Sequence, residues 1–398
     1  MHLSVFALAF VGSACAFNQG GNYDASKRGD VSTPAERGSP IASLRTACGD
    51  GDKTAAGKQL RRHPYVQRLT ESSVMIGWTA TTTRDHRVDV TLPDGTRVAS
   101  VRAVVDKGSP NQVWATIEGL SPGTTYCYAV ANGTPLTERT GFRTAPASTD
   151  ETVRFLAFGD SGSGGEDQRT LRDWMFDFPY DLIIHTGDVA YNDGTLDQYE
   201  DNVFGVYEQL FRNLPFFPAA GNHDYKTLKG APFREVFALP HAEKWYSYDW
   251  GSIHFVALDT ESDYATQARW LADDLAATTK PWKIVYLHRP PYSSGSHGSD
   301  KKLRRALAPV LERHGVQLVL AGHDHDYERI EPQNGVHYVV TGGGGRGTYG
   351  VGRSSFTAFS EEVIHFVYAE VGVDKLVLHA IDAGGTEFDS VEIARTAI

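Results

Sequence analysis

The stretch Asp181-Leu-Ile-Ile-His-Thr-Gly-Asp-Val-Ala-Tyr191 joins an apolar run to a loop that contains an acid and a phenol. The run is typical of a buried parallel strand, so Asp188 lies at the carboxyl end of that strand. Open α/β sheets place their ligand-binding residues at this edge. One carboxylate oxygen and the phenol of Tyr191 can reach a single cation, and the second carboxylate oxygen can reach another. We therefore expect Asp188 to bridge two metal ions.

The sequence on both sides of this stretch predicts a layered α/β fold. From Val153 onward, apolar strands alternate with amphipathic helices, and the β-rich tail from Val336 adds antiparallel strands. The predicted strands span residues 153–159, 181–187, 252–258, 282–287 and 316–321, and the predicted helices span residues 167–178, 265–277 and 301–314.

Side chains that can bind metal occur in five separate loops of this region. Each loop motif alone is weak, because Gly-Asp and Gly-Asn-His are common turn sequences. Their joint order is a strong signal, since loops that follow parallel strands converge at one sheet edge. The candidate ligands are Asp160, Asp188, Tyr191, Asn222, His288, His323 and His325.

The chemistry of these side chains separates them into two sets that share Asp188. The harder, more anionic set suits iron(III), because phenolate and carboxylate compensate a trivalent charge; it comprises Asp160, Tyr191, His325 and one oxygen of Asp188. The softer set suits a divalent zinc, manganese or iron ion; it comprises Asn222, His288, His323 and the other oxygen of Asp188. Two cations about 3.5 to 4 Å apart can bridge a phosphate and lower the pKa of a water between them.

This constellation resembles the purple acid phosphatases of the calcineurin-like metallophosphoesterase superfamily. The five blocks match in order between Asp160 and His325, and the resemblance covers residues 64 to about 395. It implies the two ligand sets given above, with no position substituted. It also implies acid phosphatase activity on small phosphomonoesters, by in-line attack of a metal-bound hydroxide. His223 and His297 resemble the family's substrate-facing histidines; for His297, a solvated loop histidine is the alternative.

The region before Val153 predicts an all-β domain over residues 63–147. Short strands alternate with turn signals there, a pattern that is typical of a β-sandwich. Trp78 in an early strand and the segments 120–128 and 142–144 resemble a fibronectin type III domain. Such a domain often acts as a spacer and implies no function by itself.

The first 62 residues predict export and a linker. Residues 1–16 resemble a signal peptide that ends near Ala14-Cys15-Ala16, which indicates a secreted or periplasmic protein; a lipid anchor at Cys15 is the alternative. Residues 17–62 are rich in small and charged residues, so we expect a disordered linker before the β-sandwich and the catalytic domain of residues 150–398. Export would allow Cys48 and Cys127 to pair, although two unpaired cysteines are also compatible with the sequence.

The overall composition excludes some kinds of partner. The 398 residues carry a formal charge of -11, which argues against binding to nucleic acid, because such proteins usually carry a basic stripe. After the leader, no apolar run reaches the about 18 residues that a membrane helix needs. The oligomeric state is left open.

Two other functions are compatible with parts of the sequence. In phosphodiesterases and nucleotidases of the same superfamily the first block usually carries Asp-x-His, whereas Asp160-Ser-Gly162 has no histidine. That difference favours the phosphatase, with Tyr191 as the replacement ligand. A cell-surface binding module without catalysis is the third hypothesis, and the intact ligand set argues against it.

Overall fold

The computed structural model describes residues 39–81, 84–106, 108–109, 111–240 and 244–395. The predicted signal peptide of residues 1–16, including Cys15, lies outside the described residues, and so does the predicted linker as far as residue 38.

The all-β region forms two four-stranded antiparallel sheets. One sheet has the order β1-β2-β6-β5 and the other β4-β3-β7-β8. The strands are β1 (Arg62–Gln67), β2 (Ser73–Thr79), β3 (His86–Thr91), β4 (Arg97–Arg102), β5 (Val104–Val105), β6 (Gln112–Glu118), β7 (Thr125–Asn132) and β8 (Thr140–Arg143). Alternate residues such as Val74, Ile76 and Trp78 are buried, as expected for strands with one face against a core. The sequence predicts one strand over residues 97–105, but Ala103 interrupts it and the two halves join different sheets.

Residues 39–62 are ordered, which corrects the prediction of a disordered linker for this part of residues 17–62. They contain helix α1 (Pro40–Cys48) and a 3₁₀ turn at Ala56–Gln59. Ile41 and Leu44 lie one helical turn apart and are both buried. Cys48 forms a disulfide with Cys127 of β7, with the two Cα atoms 5.3 Å apart, so the paired alternative is confirmed.

The remaining chain forms an α/β structure with two mixed sheets. The strands are β9 (Val153–Phe158), β10 (Leu182–His185), β11 (Phe216–Pro218), β12 (Tyr246–Trp250), β13 (Ile253–Ala257), β14 (Trp282–Tyr286), β15 (Leu318–Ala321), β16 (Tyr327–Gln333), β17 (Val336–Thr341), β18 (Thr357–Glu361), β19 (His365–Val371), β20 (Lys375–Asp382) and β21 (Glu387–Ala394). One sheet has the order β11-β10-β9-β19-β20-β21 and the other β12-β13-β14-β15-β17-β16-β18. The α/β architecture predicted from the sequence is confirmed, and the five strands predicted before Val336 are all present.

Helices accompany these sheets, and some of them pack on the second sheet. They are α2 (Glu166–Met175), α3 (Leu196–Gln198), α4 (Gly205–Phe211), α5 (Ala231–Val236), α6 (Tyr264–Ala277) and α7 (Lys301–Arg313), with a π-helical segment at Tyr199–Phe204 between α3 and α4. Asp263 and Asp300 immediately precede helices α6 and α7 and cap them, because their side chains accept hydrogen bonds from backbone N–H groups of the first turn. Leu271 of α6 and Leu307 of α7 join the apolar cluster formed by the outer face of the second sheet. Among the described residues, no helix combines the length and the apolar character needed to cross a bilayer.

The two sheets of the α/β part pack face to face through apolar side chains. Phe155 of β9 meets Phe255 of β13 edge to face, with 5.5 Å between the ring centroids. Strands β9, β10 and β11 are parallel, as are β13, β14, β15 and β17. The carboxyl ends of the parallel strands therefore present their loops along one edge of each sheet.

The β-sandwich contacts the α/β part through buried polar groups. Arg62 of β1 and Glu200 form an ion pair with 2.5 Å between Nη2 and Oε1, and both side chains are nearly buried. The hydroxyl of Tyr128 donates to the carbonyl oxygen of Arg212 at 2.8 Å. The described residues form one compact unit. The boundary predicted at residues 147–150 falls between β8 and β9.

A buried histidine on β13 makes a pH-dependent contribution to stability. His254 lies 2.7 Å from Asp249 through Nδ1 and 2.8 Å from Asp274 through Nε2. Burial lowers the pKa of His254, but hydrogen bonds and charge from the two carboxylates outweigh it and raise the pKa to about 9. Because the pKa of His254 is raised in the folded state, its ion pairs stabilise the fold fully at pH values below the unfolded pKa of about 6.5. This stabilisation is lost as pH rises through the folded pKa of about 9.

We therefore expect the difference in free energy of unfolding between the wild type and His254→Gln to shrink as pH rises from about 6 to about 9. Urea unfolding of both proteins at several pH values in that window measures it. A difference that stays constant or grows with pH would contradict the ionic role of His254.

Candidate metal centre

The loops at the carboxyl ends of five strands bring all seven predicted ligands together. The loop after β9 carries Asp160, the loop after β10 carries Asp188 and Tyr191, and the loop after β11 carries Asn222. The loop after β14 carries His288, and the loop after β15 carries His323 and His325. Six of the seven side chains are buried or nearly so, Asn222 being intermediate.

Four side chains form a first cluster around the phenol of Tyr191. Its hydroxyl lies 2.9 Å from Asp160 Oδ1 and 2.9 Å from Asp188 Oδ2, and donates to this pair of carboxylates. The same oxygen lies 3.1 Å from His325 Nε2. The first cluster therefore has the composition expected for the harder of the two predicted ligand sets.

The other ligands form a second cluster around His288. Its Nε2 atom lies 3.1 Å from Asn222 Oδ1 and 3.2 Å from His323 Nδ1. The same nitrogen lies 3.4 Å from Asp188 Oδ1. Asp188 thus directs Oδ2 into the first cluster and Oδ1 into the second, which is the geometry of a bridging carboxylate.

The backbone of the ligand loops is shaped to hold these side chains close together. Asp160, Asp188 and His323 adopt left-handed conformations, with φ of 58°, 53° and 73°. Such conformations are uncommon for residues with a Cβ and cluster at functional sites. A Cβ on Gly221 would lie only 2.2 Å from Asp188 Oδ1, so no larger residue fits beside this carboxylate.

The electrostatics of the clusters favour bound cations. Burial raises the pKa of Tyr191 well above its ordinary value, and the charges of Asp160 and Asp188 raise it further. Burial lowers the pKa of His288, but Asp188 and Asp160 raise it more, to about 9. Asp160, Asp188 and His288 place ligand atoms within 4.8 Å of one another. Buried carboxylates that concentrate negative charge beside a phenol in this way fit a metal centre.

Asp224 holds two ligand loops together rather than orienting His223. Its carboxylate accepts from the backbone N–H groups of Val189 and Gly221, at 3.1 and 2.9 Å, and from the hydroxyl of Tyr199 at 2.6 Å. Burial and the charge of Asp188 raise the pKa of Asp224 to about 7. From the sequence, Asp224 could orient His223 or cap the next segment. Its hydrogen bonds to Val189 and Gly221 instead connect the loops after β10 and β11.

Two positioning residues are not anticipated from the sequence. Asn202, in the π-helical segment, donates from Nδ2 to the carbonyl oxygen of Tyr191 at 3.1 Å. Asp324, between two predicted ligands, accepts from the backbone N–H of His297 at 2.6 Å. The Gly-His-Asp-His order of residues 322–325 is a signal that could have identified Asp324, whereas nothing in the local sequence marks Asn202.

The two predicted substrate-facing histidines lie beside different clusters. The ring of His223 lies 4.4 Å from the ring of Tyr191, and its Nδ1 lies 2.6 Å from the carbonyl oxygen of Asn192. The ring of His297 lies 4.2 Å from that of His323, and its Nδ1 lies 3.0 Å from Asp324 Oδ1. Both rings are partly exposed, with 25% of the His223 and 44% of the His297 side chain accessible. Both histidines therefore line the opening above the predicted ligands.

The glycine-rich segment 341–347 lies at the rim, as the sequence predicts for a tight turn rather than a nucleotide-binding loop. The N–H of Gly344 donates to the carbonyl oxygen of Gly159, and that of Arg346 to the carbonyl oxygen of Asp160. Arg329 forms an ion pair with Asp389, with 2.7 Å between Nε and Oδ2. Arg346 lies over the ring of Tyr191, with Cζ 5.2 Å from the ring centroid.

Comparison with known proteins agrees with this arrangement. Residues 153–327 match the calcineurin-like phosphoesterase family. The chain is 30% identical over 251 residues to human acid phosphatase type 7, covering 54% of this chain and 56% of that protein. It is 29% identical over 253 residues to purple acid phosphatase 21 of Arabidopsis thaliana, covering 57% and 56%. The chain therefore spans little more than half the length of these curated relatives.

A solved structure shares the fold over most of the chain. The purple acid phosphatase from yellow lupin (Lupinus luteus) seeds superposes with a TM-score of 0.75 at 21% identity, covering 83% of this chain and 74% of that one. The architecture is thus the mixed α/β fold of the metallophosphoesterases with an added N-terminal β-sheet region. Residues 153–327 form a calcineurin-like phosphoesterase domain, and the chain is homologous to proteins named purple acid phosphatase.

Proposed function

We propose that the protein is an acid phosphatase that hydrolyses small phosphomonoesters at a dinuclear metal centre. The observation that carries the proposal is the position of Asp188, which gives one oxygen to each of two clusters of metal-binding side chains. Two bound cations would supply positive charge to the phosphate and lower the pKa of a water molecule. The homology to acid phosphatases supports the same reaction class.

The chemistry of the clusters supports iron(III) in one and a divalent zinc, manganese or iron ion in the other. A trivalent ion needs anionic oxygen ligands, and the first cluster offers Asp160, Asp188 and the phenol of Tyr191. The second cluster offers imidazole nitrogens and an amide oxygen, which suit a divalent ion. We assign Asp160, Asp188, Tyr191 and His325 to the ferric site, and Asp188, Asn222, His288 and His323 to the divalent site.

We assign His223 and His297, the two histidines at the rim of the opening, to contact with the substrate. The Nδ1 atom of His223 faces the carbonyl oxygen of Asn192, which orients the ring and leaves Nε2 on the side of Asp188, 3.9 Å from Oδ2. A protonated imidazole there can hydrogen-bond a phosphate oxygen or give a proton to the departing alcohol. Asp324 orients His297 in the same way from the other side. Both proposals place an imidazole beside the phosphate.

We expect His223→Ala to lower kcat for an aryl phosphate about 100-fold, and His297→Ala to lower it less, because general acid catalysis contributes roughly 10² to 10⁴. Metal content should be unchanged in both variants, since neither side chain belongs to the ligand set. Kinetics and metal analysis of the purified proteins measure this. His337→Ala is the matched control, because His337 lies near the opposite end of β17 from the glycine-rich rim. Wild-type rates in both rim variants would remove the histidines from the mechanism.

A rate panel of monoesters, diesters, nucleotides, phytate and phosphopeptides tests the reaction class. The alternative function is that of a phosphodiesterase or nucleotidase, which would hydrolyse diesters or nucleotides faster than the other monoesters of the panel. Gly162 stands at the position where those relatives carry histidine, and a Cβ there would lie 1.8 Å from the carbonyl oxygen of Val189, which supports the monoesterase. Absence of hydrolysis in a protein that holds two metals would favour a non-catalytic binding module.

Export to a secreted or periplasmic location is part of the same proposal. The disulfide between Cys48 and Cys127 supports it, because disulfides persist in oxidising compartments. We assign the N-terminal β-sandwich to the fibronectin type III class on its two antiparallel sheets.

A further inference from the structure

A cavity of about 210 Å³, which we call the junction cavity, lies where helix α1, the β-sandwich and the α/β part meet. Helix α1 contributes Ser43 and Leu44, and the β-sandwich contributes Thr125 of β7 and Arg143 of β8. The side chains that the α/β part contributes include Tyr180, Asp181, Leu214 and Trp250. Three separate parts of the chain therefore build the walls of this cavity.

The junction cavity lies at the opposite edge of the sheets from the predicted metal ligands. Tyr180 and Asp181 directly precede strand β10, whereas Asp188 follows it. Trp250 ends β12 and pairs with Ile253, the first residue of β13. Because the ligand loops follow the carboxyl ends of the parallel strands, the length of those strands separates the cavity from the metal centre. The junction cavity is therefore not part of the proposed substrate site.

Two buried polar groups on the walls of the junction cavity lack a partner. The hydroxyl of Tyr180 and Nε1 of Trp250 form no hydrogen bond with any residue that the structure describes, and each of the two residues is only 1% exposed. The indole N–H can only donate a hydrogen bond, whereas the phenol hydroxyl can donate and accept. Since buried polar groups are normally paired, these two indicate a ligand with a polar group of its own.

The rest of the lining is apolar or already paired. Leu44 and Leu214 provide buried apolar surface. The guanidinium of Arg143 pairs with Glu151, with 3.4 Å between Nη2 and Oε2. The carboxylate of Asp181 accepts from a backbone N–H of β9 at 2.9 Å, and burial raises the pKa of Asp181. A charged ligand would lose its hydration without gaining an unpaired countercharge, so the lining favours a neutral one.

We propose that the junction cavity binds a small neutral molecule that combines an aromatic ring with a hydroxyl group, of the class of simple phenols. A hydroxyl can accept from the indole N–H of Trp250 and share a hydrogen bond with the hydroxyl of Tyr180. The ring of the ligand can pack on the leucines and on the two aromatic rings. A cavity of about 150 Å³ holds benzene, so about 210 Å³ admits one substituted ring. This inference does not depend on the proposed phosphatase function.

The test compares phenol with toluene, which carries a methyl group in place of the hydroxyl, in NMR titrations of the full chain. Phenol should bind with a Kd of about 0.1 to 1 mM, and toluene about tenfold more weakly because it leaves the polar groups unpaired. Tyr180→Phe should lower the affinity for phenol several-fold and leave that for toluene unchanged. Tyr338→Phe is the matched control, because it removes another buried hydroxyl without a partner in the described structure, on β17 and outside the junction cavity.

A variant at the rim tests the location of the site. Ser43 is exposed, so Ser43→Trp should place a bulky side chain at the mouth of the junction cavity without disturbing the core, and it should abolish binding of both molecules. Ala42→Trp is the matched control, because Ala42 is exposed on the same helix but does not line the cavity. Thermal unfolding establishes that both variants are folded.

Inorganic phosphate is the probe for the metal centre, and it should leave the binding of phenol to the metal-loaded protein unchanged. Displacement of phenol by phosphate, or wild-type binding of phenol in Ser43→Trp, would overturn the junction cavity as the site. Equal affinities for phenol and toluene would overturn recognition of the hydroxyl, and a folded wild type that binds neither molecule would overturn the proposal as a whole. Hydrolysis of an aryl phosphate is measured separately, so each of these results leaves the proposed function standing.

Discussion

Asp188→Asn is expected to lower kcat/KM for an aryl phosphate by several orders of magnitude, the largest loss of any single substitution at the site. The two oxygens of Asp188 point into different clusters, so the amide removes a charge that both share. It also replaces one anionic oxygen with an NH₂ group, which repels a cation. Metal analysis of the purified variant should therefore show depletion of both ions.

The matched control for this prediction is Asp273→Asn, which removes the same charge from an exposed position on α6. It should bind two metals and turn over at the wild-type rate. Circular dichroism and thermal unfolding establish that Asp188→Asn is folded. A folded Asp188→Asn protein with two metals per chain and near-normal turnover would refute the bridging role.

Tyr191→Phe is expected to remove the visible absorption that we predict for the protein loaded with iron(III). A tyrosinate bound to iron(III) gives a charge-transfer band, and the hydroxyl of Tyr191 lies within hydrogen-bonding distance of Asp160, Asp188 and His325. Because phenylalanine lacks the phenol that we propose as an anionic ligand, iron(III) should be lost or reduced more easily, while the proposed divalent site keeps its ligands. Activity should fall less than in Asp188→Asn.

A second tyrosine in the same opening provides the control. Tyr349 stacks on the ring of His325 with 4.1 Å between centroids, so Tyr349→Phe removes a hydroxyl next to the centre while leaving the proposed ligands intact. The charge-transfer band should make the wild-type protein loaded with iron(III) violet to pink. This colour should persist in Tyr349→Phe and disappear in Tyr191→Phe. A wild-type protein that contains oxidised iron but shows no visible band would remove Tyr191 from the coordination sphere.

The order of most candidate ligands could be predicted because they follow apolar strands that are recognisable in the sequence. The run 182–185 is buried at every residue, and a parallel strand of this kind fixes the position of the loop that follows it. The same argument places the loops after β9, β14 and β15. The division of the donors between two clusters followed from the chemistry of carboxylate, phenol, amide and imidazole.

The ordered helix α1 could not be predicted in the same way, because its stability does not arise from its own sequence. Ile41 and Leu44 supply only a short apolar stripe, and a helix of nine residues is marginal in isolation. Packing against the β-sandwich and the disulfide from Cys48 to β7 hold it in place. Both depend on partners distant in sequence, which composition does not reveal.

The position of Arg346 could not be predicted either, because it also depends on contacts with residues distant in sequence. It follows four consecutive glycines, whose conformations are not restricted by a Cβ, so the direction of this segment depends on its neighbours. Its backbone N–H donates to the carbonyl oxygen of Asp160, which turns the segment toward Tyr191. Loop geometry of this kind is set by tertiary contacts and determines which side chains surround a substrate.

The ion pair between Arg62 and Glu200 limits how the domains of this protein can be exchanged. Glu200 belongs to the same π-helical segment as Tyr199 and Asn202, which hold Asp224 and the Tyr191 loop in place. A chimera with a foreign β-sandwich that lacks this arginine would leave Glu200 buried without its guanidinium partner. Removing one member of a buried pair typically costs about 3 to 5 kcal/mol. Exchange of the β-sandwich therefore has to retain Arg62, or to replace Arg62 and Glu200 together.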